Sequence, residues 1–173
     1  MSGLSERVEL REYDPSWAQI FETERLLIAP IFDGRAVGIE HIGSTSVPDL
    51  CAKPIVDVLV GLRELALSDD EIKAMEELGY EYLGEFGLPG RLYFRKGDPR
   101  THHVHVVEHG GEHWERHLAF RDALRANPEE RQRYDALKRQ LAAEGHPWEA
   151  YSELKTPFIR EVEARARGVR PSS

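Results

Sequence analysis

Apolar positions along this chain recur with two periods, and the switch between them marks its elements. Trp17, Ile20, Phe21, Leu27, Ile28 and Ile31, with Glu24 among them, fall three or four residues apart, the spacing of one helical face. Asp14 and Pro15 precede them as N-cap and first-turn proline, Pro30 is expected to kink the last turn, and Asp33-Gly34 ends the helix. Ahead of it, residues 8–13 alternate loosely, as a short edge strand would. Residues 37–42 form a strand that runs into the hydroxyl-rich turn Gly43-Ser44-Thr45-Ser46-Val47-Pro48. Residues 55–60 are nearly all apolar, the mark of a strand covered on both faces. Ser68 with Asp69, Asp70 and Glu71 opens a second helix, which Gly79 stops.

Residues 80–86 and 91–95 flank Gly87-Leu88-Pro89-Gly90 as a hairpin, and residues 102–108 form a further strand. From Trp114 the period is helical, in three segments split near Asn127-Pro128 and Gly145-His146-Pro147. Leu118, Leu124, Leu137, Leu141, Tyr151, Leu154 and Phe158 supply their apolar faces, and residues 168–173 are expected to fray. Strands with interspersed helices, followed by helices alone, predict one α+β domain: residues 1–112 as the sheet-bearing core and residues 113–173 as a helical extension packed on it.

Composition narrows the function. Of 173 residues, 40% are hydrophobic and 31% charged, ordinary for a globular protein. A net charge of −8 opposes general nucleic-acid binding, which needs a basic surface, but permits a small phosphorylated ligand held by a few local cations. The single cysteine, Cys51, rules out an intramolecular disulfide and a four-cysteine zinc site. The first residues lack the apolar core of a signal peptide, and no apolar stretch approaches the ~18 residues of a membrane span, so a cytoplasmic protein without a membrane partner is expected.

Three features carry candidate chemistry. Gly43 lets backbone N–H groups approach a phosphate, with Ser44, Thr45 and Ser46 adding hydroxyl donors; the same residues also make an ordinary turn. Asp57 interrupts the apolar strand, and a buried carboxylate needs a partner, as a Mg²⁺ ligand or general base would have. Strand alternation sends His103 and His105 to one side, where two imidazoles can share a metal or bracket a phosphate, or simply pack; His102 and Glu108 take the other side. His113 and His117 are i, i+4 but lack the glutamate of a zinc-protease helix, so they are expected to be surface or packing histidines. Lys53, Arg91 and Arg95 offer charge for phosphate, His41 a further proton carrier, and Lys155 and Arg121 can lean in from the late helices.

The run from Ile39 through Pro48, with Ala52-Lys53-Pro54-Ile55-Val56-Asp57-Val58-Leu59, closely resembles the signature of the GrpB family. So do Val8-Glu9-Leu10, Tyr13-Asp14-Pro15-Ser16-Trp17, Pro89-Gly90-Arg91, Phe94-Arg95-Lys96-Gly97, the His102–Val106 run and His117-Leu118-Ala119-Phe120-Arg121-Asp122, so the likeness covers nearly the whole chain. The resemblance implies a nucleotidyltransferase-like mixed β-sheet flanked by helices, with the C-terminal helices as an extension. It implies Gly43 and Ser44 as the phosphate turn, Asp57 as the first of two metal acids, and metal-dependent nucleotidyl or phosphoryl transfer to an acceptor. The second acid should fall at residue 59, which is Leu59. If the histidine strand takes the place of the third carboxylate, Asp57, His103 and His105 would share one divalent metal (Mg²⁺, Mn²⁺ or Zn²⁺), imidazoles suiting Zn²⁺ or Mn²⁺ better than Mg²⁺. The expected partner is a nucleotide or phosphorylated small molecule. The alternative is a non-catalytic module for a nucleotide or coenzyme A-related ligand, since GrpB-like domains occur joined to dephospho-coenzyme A kinase.

Overall fold

The computed structural model describes residues 7–168; the expected fraying of residues 169–173 lies outside them. Its strands are β1 (Ala36–Ile42), β2 (Val56–Leu62), β3 (Glu81–Tyr82), β4 (Arg91–Lys96) and β5 (His102–Glu108), and its helices are α1 (Ser16–Ile28), α2 (Asp69–Glu77), α3 (Glu112–Ala126), α4 (Pro128–Ala143) and α5 (Trp148–Ala166). One sheet holds all five strands in the order β1-β2-β5-β4-β3. Only β2 and β5 run parallel; the other pairings are antiparallel, so the α+β class and the mixed sheet are as expected.

The two faces of the sheet differ in chemistry. On one, Val56, Val58, Val60, Leu62, Phe94, Val104 and Val106 pack under Trp17 and Ile28 of α1 and Met75 of α2, all buried. On the other, Leu59 and Val107 meet Trp114 of α3. Gly61 and Gly38 make that approach possible, because a Cβ on either would lie 2.7 or 2.8 Å from the Trp114 ring. Ile42 joins that cluster, the face beside it carries Asp57, His103 and His105, and Leu124 of α3, Tyr134 of α4 and Phe158 of α5 pack against Val47 and Leu50 at its end.

Local signals explain most element ends. Ser68 and Glu71 form a complete capping box at α2, and the Asn127 side chain accepts from Glu129 N and Glu130 N at the start of α4. After α1 a 3-10 turn, Ala29–Phe32, ends at Asp33 and Gly34, both left-handed with φ of 42° and 79°. Three expectations fail. Residues 8–13 make only an isolated bridge, Arg11 with Ala52, because Val8 and Leu10 turn instead into a small cluster with Leu141 and Tyr151. The first hairpin strand stops at Tyr82, since Gly84, Phe86 and Gly87 take positive φ that a strand cannot contain. Ile20, Leu27 and Leu154, expected on packed apolar faces, are exposed.

Candidate functional site

The parallel β2–β5 register sets Asp57 beside His103 and Leu59 beside His105, so all four share one face. Asp57 Oδ1 lies 3.1 Å from His105 Nε2, which donates to it, and 3.3 Å from His103 Nδ1. Burial disfavours the Asp57 carboxylate, but the hydrogen bonds and charge of His103 and His105 outweigh it and hold its pKa well below the usual carboxylate range. Burial also lowers the pKa of His105, against the pull of Asp57. Its other ring nitrogen, Nδ1, is buried with no hydrogen-bond partner among the described residues. The ring of His117 on α3 stands 5.6 Å from that of His105, and burial pushes its pKa down to about 3, so it is a neutral neighbour.

Gly43 closes the other side of the carboxylate. Its φ of +75° is strained for any other residue, and a Cβ there would lie 2.5 Å from Asp57 Oδ2. Next to it opens a cavity of about 70 Å³ lined by Ser44, Thr45, Lys53, Asp57, His103, Lys138, Trp148, Tyr151 and Lys155. Lys53 Nζ sits 3.3 Å from the centroid of a Trp148 ring, and Lys155 Nζ 4.5 Å from the Tyr151 ring. Burial, reinforced by Lys53 and opposed by Asp57, lowers the pKa of Lys155 to about 8. Burial likewise lowers that of Lys138 to about 7, and its ammonium donates to the Cys51 carbonyl. The Tyr151 hydroxyl, on a residue only 1% exposed, has no partner among the described residues.

The structure thus gathers Asp57, His103, His105, Ser44, Thr45 and Lys53, with Gly43 as the wall. His41 is not with them: it belongs to the opposite face, stacked on Phe21 at 4.8 Å, with Nε2 2.9 Å from Thr45 Oγ1, because its place in β1 alternates away from Asp57. Arg91 and Arg95 do lie on the Asp57 face, but the hairpin holds them. Arg91 donates to the Glu85 and Phe86 carbonyls and covers Tyr93, while Arg95 donates to Glu81 at 2.9 Å. Arg121 is engaged by Glu40 and Asp122. Sequence reasoning missed Lys138, Trp148 and Tyr151. Trp148, Tyr151 and Lys155 fall at i, i+3 and i+7 of α5, a signal that one helical face carries them together.

Among the described residues, no three His, Cys, Asp or Glu side chains stand as a metal-binding group. The two imidazoles point at Asp57 Oδ1 and bond it, so in this arrangement the three donors satisfy one another and do not converge on a shared point.

These features define an α+β protein with a cation-lined pocket over a carboxylate–imidazole cluster. The family model described as "GrpB protein" matches residues 7–165, and the chain belongs to that family. It is 42% identical to UPF0157 protein YqkA of Bacillus subtilis over 164 residues, which span 93% of this chain but only 48% of that relative's length. It is 33% identical over 171 residues to Glutamate-rich protein GrpB of Alkalihalophilus pseudofirmus, covering 94% and 98% of the two chains. The crystal structure of conserved protein GrpB from Enterococcus faecalis superposes with a TM-score of 0.84 at 45% identity, covering 91% of this chain and 96% of that one.

Proposed function

We propose that the pocket over Asp57 seats the phosphate of a nucleotide or other phosphorylated small molecule for nucleotidyl or phosphoryl transfer. One observation carries this reading: in a chain of net charge −8, Lys53, Lys138 and Lys155 line a single small cavity with the hydroxyl-bearing Ser44 and Thr45. Burial disfavours the charge of Lys138 and Lys155, an oxyanion between them would restore it, and the unpartnered Tyr151 hydroxyl adds a waiting donor. At about 70 Å³ the cavity is well below the ~300–1,000 Å³ typical of whole small-molecule ligands, so it takes the anionic head of a ligand whose body lies outside.

The cluster beneath supplies proton chemistry. Asp57 stays ionised, orients both rings and stabilises an imidazolium, so His103, which also lines the cavity, is placed to exchange a proton with an oxygen at the bound phosphorus. Asp57 faces the cavity directly, but, held ionised well below the usual carboxylate range, it is a weak base, so His103 takes the proton of an acceptor hydroxyl while Asp57 orients the ring. Lys53 and Lys155 neutralise charge on the phosphoryl oxygens. A divalent cation is proposed to arrive with the nucleotide, since these side chains bond one another. A second reading, a non-catalytic nucleotide or coenzyme A-related binding module, is favoured by Leu59, which fills the second acid's position and is 0% exposed in an apolar cluster.

The test is incubation with each nucleoside triphosphate plus Mg²⁺, Mn²⁺ or Zn²⁺, following pyrophosphate and phosphate release alongside calorimetric binding. Turnover lost in Asp57→Asn supports transfer. Binding without turnover in the wild type supports the module. No binding of any phosphorylated compound, or binding indifferent to Lys155→Ala, overturns both.

A further inference from the structure

The turn Ser44–Ser46 has a second side. Behind it, toward α1, opens a cavity of about 330 Å³ lined by Tyr13, Ala18, His41, Thr45, Arg125 and Arg131. Thr45 walls this cavity and the Asp57 pocket alike. Unlike that pocket, the second cavity falls within the ~300–1,000 Å³ range of small-molecule sites.

Among the described residues, its two guanidiniums, exposed at Arg125 and half-buried at Arg131, donate only to backbone carbonyls. Arg125 Nε donates to Ser46 O at 2.9 Å, and Arg131 Nη1 donates to Leu124 O at 3.1 Å and Arg125 O at 3.3 Å. The nearest candidate counter-ions are already taken, because Arg121 engages Glu40 at 2.8 Å and Asp122 at 2.9 Å. Among the described residues, therefore, Arg125 and Arg131 form no ion pair, though the chain carries 31 acidic against 23 basic residues. Each fork has five N–H donors, so most of them face the cavity and its water, free to exchange that water for a two-oxygen edge. His41 adds no competing charge, since burial holds its pKa at about 4.

We infer that this cavity is a second ligand site, which takes the oxyanion of a small molecule, a carboxylate or a phosphate ester, on Arg125 and Arg131. The apolar parts of Tyr13, Ala18 and Pro48 line the space left for the remainder of the ligand. Nothing in this assignment depends on what the Asp57 pocket binds.

The experiment is calorimetric titration of the purified protein with citrate and, separately, inorganic pyrophosphate, at matched ionic strength. The anion bound more tightly at this site names the group it takes. Arg131→Gln is expected to weaken that binding about tenfold or more, the loss of a charge-assisted hydrogen bond. Ala18→Phe, at an exposed position of α1, is expected to do the same by filling the cavity without removing a charge, and so covers the case in which the arginine variant fails to fold. Lys155→Ala is expected to leave this site unchanged while weakening the Asp57 pocket, so either site can fail alone. Binding insensitive to both Ala18→Phe and Arg131→Gln, or no heat with either anion, overturns the inference.

Discussion

Two acids lie on opposite sides of the sheet, each beside a histidine of β5, and they have opposite fates. Glu24, on α1, accepts from Tyr80 Oη and from Lys96 Nζ, both at 2.6 Å, with His102 at 3.7 Å and a side chain 6% exposed. Asp57 meets two imidazoles, and its side chain, 23% exposed, opens on a cavity. The first has a permanent cation and a hydroxyl. The second has partners that can give up protons and a space for another molecule. A buried acid by itself therefore does not mark a site; the exchangeability of its partners does.

This contrast can be broken experimentally. The largest effect is expected for Asp57→Asn, which should lower any transfer rate at least ~100-fold, the scale of lost general base catalysis, while moving the urea midpoint little. Glu24→Gln should do the reverse, costing roughly 3 kcal/mol in urea unfolding because Lys96 loses its buried counter-ion, with phosphate affinity unchanged. Equal effects of the two variants on both measurements would erase the distinction. Gly43→Ala should cost about 2 kcal/mol, from strained φ and the clash with Asp57, and should distort the pocket as well.

Smaller shifts sharpen the same comparison. Lys155→Ala should weaken phosphate or nucleotide binding about tenfold. Affinity in the wild type should also fall as pH rises through about 8, where Lys155 loses its proton. The histidines act on stability at lower pH. His41 and His117 have folded pKa values of about 4 and about 3, below their ordinary value of 6.5. The unfolded chain therefore binds more protons, so their contribution is complete above pH 6.5 and is lost as pH falls toward 4 and 3. Thermal unfolding should show a melting temperature that declines across that window, with a shallower slope in His41→Gln.

Much of this was legible in the chain. Most strands and each helix followed from local period, with end signals such as the Ser68 box and the Asn127-Pro128 break. Residues 8–13 made no strand, however, the strand begun at residue 80 kept only Glu81 and Tyr82, and α1 is capped at Pro15, one residue after the expected Asp14. The pairing of Asp57 with His103 and His105 was foreseeable in kind, because alternation put the imidazoles on one side and an apolar strand demanded a partner for the acid. Two of the residues grouped with Asp57 are placed apart from it. His41 and Arg95 were grouped with Asp57 by sequence nearness or face, yet strand alternation sends one away and Glu81 holds the other.

What the sequence determined by itself was the set of elements and the chemical groups they carry, since periodicity, caps and the cost of burying charge act within a few residues. The tertiary structure alone decided which groups meet. The β2–β5 register fixes the distance from Asp57 to its histidines, and α4 and α5 bring Lys138, Tyr151 and Lys155 to a turn some ninety residues or more earlier. Such meetings depend on how whole faces pack, an interaction over long separations that no local spacing encodes.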